Sequence, residues 1–428
     1  MPARWSDDLR ACLPSFRQSL LTGWLPDAFA DADLLDALAS GTLLPSPGDV
    51  APMIARSPVH PLTVPVGART RTVPLLPAPV HAALHTLTER ALRDHRPHPS
   101  VHSAARTDWD YRRAYRTRSE KLTELASGRT PSLVQHLDIE NFGASVGLGA
   151  LLAAPWMTRE LEVSLREMRR RTGQCLVHAT SWSTRLGAAL LDPLDQVVAR
   201  HAGDAWSRWS DGWHVAVRDA REGERIREAL AGALAAMGLR LSARKTVLLT
   251  PGDVTGGVAA DVSGPPDEVW RTAVRANDVR RYRYALVRAA PDPDITNALP
   301  DLVRRHPSLL PRAVHYLDGA TATGGAADTF AAFWQWVVGE TPEGEVPFRC
   351  GRLLVLAARH GELAWLVPRP VLDTCSRSPV TGLRELAERV SVTADGPGTV
   401  ADPSPRVRDW VRRGAAVRDR PPRASTHL

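Results

Sequence analysis

The chain has 428 residues, 43% hydrophobic and 24% charged, which is enough for two or three domains with proper cores. No apolar run approaches the roughly 18 to 20 residues of a membrane span. The start, MPARWSDDLRAC, lacks a signal-peptide core, and Cys12, Cys175, Cys350 and Cys375 are scattered without a CxxC pair. These features argue against a membrane protein, a disulfide framework and a zinc knuckle, and lead to the expectation of a cytoplasmic protein. The net charge of +7 is compatible with a polyanionic partner. Nearly every basic residue is Arg, and the only lysines are Lys121 and Lys245. A lysine that persists against such a bias is a candidate for chemistry that Arg cannot perform, because Arg does not release a proton near neutral pH.

In chain order, the first ~36 residues read as helical and are followed by a Pro/Gly-rich stretch from Ser40 to about Pro61. LTVPVGARTRTVPLL is strand-like, and PVHAALHTLTERALRDH and the basic stretch from Tyr111 to Ser127 read as helices. SLVQHLDIENF has the apolar run of a buried strand ending in a loop. After it come a helix from Thr158 to Arg171, a second helical stretch STRLGAALLDPLDQVVARH, and the strand–turn–strand AWSRWSDGWHVAVRD with period-two alternation on both arms. A helix, EGERIREALAGALAAMGL, precedes RLSARKTVLLT. This order predicts an α+β fold with an antiparallel sheet backed by helices. TPGDVTGGVAADVSGPPDE reads as a linker covering 251–268, residues 269–393 as an all-helical array of short hairpins, and 394–428 as a disordered tail.

Phosphoryl transfer onto a hydroxyl needs cations held by carboxylates on rigid strands. Two aspartates are placed for this: Asp138, closing SLVQHLD, and Asp211, at the tip of WSRWSDGWHVAV. Taken singly, an Asp at a strand end is most often a turn former. Their neighbours point further. LDIENFGASV resembles motif A of the reverse transcriptase family, LVHATSWS has the length of its LPQGxxxS motif, and RWSDGW stands where its YxDD hairpin belongs. GLRLSARKT resembles its motif D, and GARTRTVPLL its fingers segment.

The resemblance covers roughly residues 60–250. It implies fingers and a palm within 1–130 and 131–250, a metal-dependent nucleotidyltransferase using Mg²⁺ or Mn²⁺, and nucleoside triphosphate and nucleic-acid partners. By matching position, Asp138 and Asp211 would be metal ligands and Lys245 a catalytic residue. Arg69, Arg71, Ile139, Gly143, His178 and Ser183 would line the nucleotide. The diverged palm with a helical domain behind it resembles the phage-defence-associated reverse transcriptases of bacteria.

The departures are specific. YxDD has become Trp209-Ser210-Asp211-Gly212, losing the second carboxylate, and LPQG has become Leu176-Val177-His178-Ala179. Val66 replaces a lysine often found after the fingers proline. Gly143 replaces the bulky residue that excludes a ribose 2′-hydroxyl. Two readings stay open: an enzyme of altered nucleotide preference, and an inactive pseudo-polymerase that binds nucleic acid, a nucleotide or a protein. Either is compatible with an oligomer. His95, His98 and His102, interrupted by prolines, read as a solvated loop rather than a metal site.

Overall fold

The computed structural model describes residues 46–66, 69–103, 111–127, 133–177, 180–259, 264–321, 325–396, 399–404, 407–408 and 411–412. The helices expected in the first ~36 residues lie outside them. The fold is α+β, with two small antiparallel sheets and many helices. None of the described helices is long and apolar enough to cross a membrane. The chain divides into two compact units, one of residues 46–59 and 78–265, the other of residues 60–77 and from 266 onward.

The first unit is built on a four-stranded sheet. Strands β3 (Leu133–Asp138), β4 (Trp206–Trp209), β5 (Gly212–Val217) and β6 (Val247–Leu249) lie in the order β4-β5-β3-β6, all antiparallel. Side chains alternate along each strand, so the register sorts them into two faces. One face carries Leu137, Trp213, Val215 and Val217, all buried. The helices Asp192–Ala202 and Ala220–Ala236 pack against it. Gly223 lets the second of these approach closely, because a Cβ there would stand 2.8 Å from Gln135 Oε1.

The opposite face carries Val134, His136 and Asp138 on β3, beside Ala216, His214 and Gly212 on β5. The Tyr111–Ala126 helix covers its Val134 end, where Leu122, Leu125 and Ala126 cluster with Val134 and Val254. Val254 belongs to a helix, Pro251–Ala259, where the sequence predicts a linker. Its start is a reciprocal cap: Thr250 N–H donates to Asp253 Oδ2 (2.9 Å) and Asp253 N–H donates to Thr250 Oγ1 (3.2 Å). The Pro/Gly content outweighed that local signal in the linker reading. The Pro/Gly-rich stretch before Pro61 likewise contains a helix, Val50–Arg56, which packs on the Arg159–Thr172 helix.

The expected long helix after Ser181 is two, Ser181–Leu190 and Asp192–Ala202, joined at Leu191 ahead of Pro193. The loop read as solvated is packed instead. Val101 bridges Arg208 on the free side of β4, His102 is buried, His98 stacks on Trp206 at 4.8 Å and His95 pairs with Asp192. Capping the sheet edge is the physical reason: an open strand edge leaves backbone groups unpaired, and the loop satisfies them.

The second unit joins the hairpin of β1 (His60–Val66) and β2 (Arg69–Leu75) to helices. From Pro266 onward no strand occurs among the described residues, in keeping with the expected helical array. VWRTAVRANDVRRYRYALVRAA spans two helices: Pro266–Ala276 ends before Asn277 (φ 50°), and Asp278 caps the next helix, Val279–Arg288. At the centre of the unit is Val346–Arg359, packed against Leu310–Thr321, Ala327–Glu340 and Thr381–Asp395. In the stretch predicted to be a disordered tail, Val407 is buried and Ser404 N–H donates to Glu388 (2.8 Å).

Candidate functional site

Asp138 ends β3 directly opposite Gly212, the first residue of β5. Asp211 is therefore one residue away, in the two-residue turn between β4 and β5. Ser210 enters that turn at a left-handed φ of 56°, an uncommon conformation for a residue with a Cβ. The chain then locks the tip in place. Ile139 N–H donates to the Asp211 carbonyl (3.1 Å), and Ser242 N–H donates to the Asp138 carbonyl (2.7 Å). Continuing the β3–β6 register brings Lys245 to the other flank of Asp138, and its Nζ donates to Asp138 Oδ1 at 2.8 Å. The Asp138 side chain is largely enclosed and that of Lys245 is about half exposed.

The electrostatics follow from this crowding. Burial, then the neighbouring Asp138 charge, pushes the Asp211 carboxyl above the usual range, while Lys245 partly opposes the shift. One row further in, His136 and His214 face each other across β3 and β5 with rings stacked at 4.4 Å. Burial, followed by His136 and Arg118, pushes His214 down to about 3. Burial, Arg118 and Lys245 also lower His136. Both rings are thus neutral near pH 7, which permits their stacking. Arg118 itself lies 5.7 Å from the ring centroids of both Tyr115 and Trp209.

Two further residues hold the turn, and the sequence reading did not select them. Arg208, wholly buried on β4, makes a bidentate pair with Asp195 (2.7 Å to each oxygen) and donates to the Ser210 carbonyl (2.9 Å) and the Ala188 carbonyl (3.0 Å). Trp213 Nε1 donates to the same Asp195 (2.8 Å). The hairpin tip that carries Asp211 is therefore tied to the helices behind the sheet through one guanidinium. A signal was present in the sequence: Arg208 falls two residues after Trp206, on the buried face by alternation, and LLDPLD offers the acid such a burial requires.

The remaining candidates divide. The Ile139 side chain is core, so only its backbone reaches the site. Gly143 is the second residue of the short helix Phe142–Ser145, and a Cβ there meets nothing within 4 Å. The neighbouring Phe142 ring fills the space above Gly187, where a Cβ would sit 2.8 Å from Phe142 Cε1. Ser183 is buried, and its Oγ accepts from Val177 N–H at 2.6 Å, so it pins the 175–177 segment. His178 lies outside the described residues. Arg69 and Arg71 are on β2, in the second unit rather than with the sheet of the first; the Arg69 side chain is outside the described set and Arg71 is exposed.

Gly212 has room for a side chain: a Cβ would stand 3.6 Å from Asp138 Oδ2 and 3.4 Å from His136 Nε2. Asp138 and Asp211 are the two carboxylates at this sheet end that could ligate a cation, and Lys245 is already bonded to the first of them.

No protein-family model matches this chain, and no curated protein matches it.

Proposed function

We propose that the first unit is a reverse-transcriptase-like palm and the chain a metal-dependent nucleotidyltransferase acting on nucleoside triphosphates and nucleic acid. The observation that carries this reading is the row Lys245, Asp138, Gly212 on one sheet face, with Asp211 in the adjoining turn. Three segments distant in sequence, those carrying Asp138, Asp211 and Lys245, meet at one end of the sheet, as the resemblance requires of a palm.

Asp138 and Asp211 would hold one Mg²⁺ or Mn²⁺, which when bound neutralises triphosphate charge and acidifies the attacking hydroxyl. Lys245, bonded to Asp138, offsets part of the negative charge of the pair. Its ammonium would give a proton to departing pyrophosphate, a role closed to Arg. The stacked neutral histidines add no charge of their own beside these groups. Open space at Gly143 removes the clash with a 2′-hydroxyl. Loss of a carboxylate at position 212 weakens the site most for Mg²⁺, which demands strict octahedral geometry.

The second reading, a binding scaffold without catalysis, is favoured by one observation: the Lys245–Asp138 pair is closed, as in an ordinary structural ion pair. The two are separated by incubating the purified chain with each labelled dNTP and rNTP, with Mg²⁺ or Mn²⁺, with and without nucleic acid. The enzyme reading predicts slow incorporation, faster with Mn²⁺ and tolerant of rNTPs. Brisk incorporation of dNTPs alone with Mg²⁺ would refute the roles given to Gly143 and Gly212. Absence of any incorporation leaves the scaffold.

A further inference from the structure

The central helix of the second unit, Val346–Arg359, carries arginines at 349, 352 and 359, spaced so that they follow one face. Two are compensated. Arg349 bonds Glu345 through Nε (2.9 Å) and Nη2 (2.8 Å) and lies 4.3 Å from the Trp336 ring centroid. Arg359 bonds Asp318 at 3.0 Å, and the other oxygen of Asp318 is taken by His360 at 2.8 Å. Arg352, between them, has only 4% of its surface accessible. Its Nε and Nη2 are enclosed without a hydrogen-bond partner, and no carboxylate among the described residues pairs with it. One turn away, Nη1 of Arg349 is also buried and unpartnered.

An enclosed charge without partners is strongly unfavourable, and a guanidinium cannot escape by losing its proton near neutral pH. Burial and the nearby Arg359 do oppose its charge, yet the group stays protonated. The stripe holds three arginines against Glu345 and Asp318, so one positive charge and at least three directed N–H donors are left over. Planar forked donors match the oxygens of a phosphoryl group.

We propose that Arg352, with Arg349 beside it, forms an anion site that takes the phosphoryl group of a small ligand, inorganic phosphate or a nucleoside diphosphate. This site belongs to the second unit and does not rest on the catalytic reading of the first.

The test is thermal unfolding of the full chain in inorganic phosphate and in ADP, against chloride at matched ionic strength. Ligand at about ten times its Kd should raise the melting temperature of the wild type by about 2 to 4 °C. Arg352→Met should abolish that rise, and Asp138→Asn should keep it, which separates this site from the nucleotide site proposed on the sheet. A response to phosphate assigns the free anion, and a response to ADP alone assigns the nucleotide. Should Arg352→Met not fold, Arg352→Lys decides: it keeps the charge and loses the fork, so the rise must shrink. A wild type no more stable in phosphate or ADP than in chloride overturns the proposal, as does an undiminished response in the Arg352 variants.

Discussion

Arg208 in the first unit and Arg352 in the second are both almost wholly enclosed, and they end in opposite conditions. Arg208 spends its donors on Asp195, Ser210 and Ala188. Arg352 spends none among the described residues. Burial alone therefore says little about what a charge is for; its partners decide. A guanidinium with every donor satisfied fixes the conformation around it, here the turn that presents Asp211. One with idle donors is a place where something else can bind.

The sharpest way to break this contrast is to remove each arginine in turn. Arg208→Met leaves Asp195 buried without its counter-charge and should cost about 3 to 5 kcal/mol in urea unfolding. The double variant Arg208→Met/Asp195→Leu should recover much of that loss. Arg352→Met, in buffer free of phosphate, should do the reverse and stabilise, by about 1 to 4 kcal/mol if removing this unpaired charge matches the gain from replacing buried ion pairs with apolar groups. Equal losses from both substitutions would erase the distinction.

A smaller effect attaches to the cap at Thr250. Thr250→Ala removes one half of a reciprocal pair and should cost about 1 kcal/mol, read from the same unfolding curves. The loss should be confined to the Pro251–Ala259 helix and the cluster around Val254 that it completes.

The smallest difference is one of pH dependence. The folded-state pKa of Asp211 is raised, so its ionised form is disfavoured on folding. Below the unfolded carboxylate pKa both states are protonated and nothing is lost. Stability falls as pH rises through the raised pKa and stays lower above it. Asp211→Asn should therefore be more stable than the wild type near pH 7, with the gap closing below about pH 4, the ordinary carboxylate value. A divalent cation should close the same gap at pH 7 in the wild type alone. A variant less stable than the wild type at neutral pH would show that Asp211 is compensated after all.

Much of the sheet was legible because alternation over SLVQHLD and AWSRWSDGWHVAV leaves one register that buries the apolar face. Asp138, Asp211 and Lys245 fell into place with it, since each is tied to a strand end. The fingers-like segment read only as strand-like; it folds as a hairpin, and pattern alone does not say which unit a hairpin joins. What stayed hidden depends on contacts between distant segments. His95 meets Asp192, and Arg208 meets Asp195, across turns whose geometry no local pattern specifies. The Pro251–Ala259 helix was hidden for another reason: its glycines and proline suggested a linker, although Thr-Pro-Gly-Asp is itself a helix start. Nothing in the sequence sets Arg352 apart from the other arginines of the helical array; its enclosure follows from the packing of three helices around Val346–Arg359.

The central claim is that Asp138 and Asp211 act together in nucleotide transfer, and one measurement meets it head on. Incorporation of labelled nucleotide with Mn²⁺ is compared for the wild type, Asp138→Asn and Asp211→Asn, each with its melting curve. Both asparagine variants should lose incorporation by about a thousandfold or more, the scale of removing a group that acts in the transition state, while melting as cooperatively as the wild type. Incorporation that survives undiminished in either variant, in a folded protein, would contradict the account.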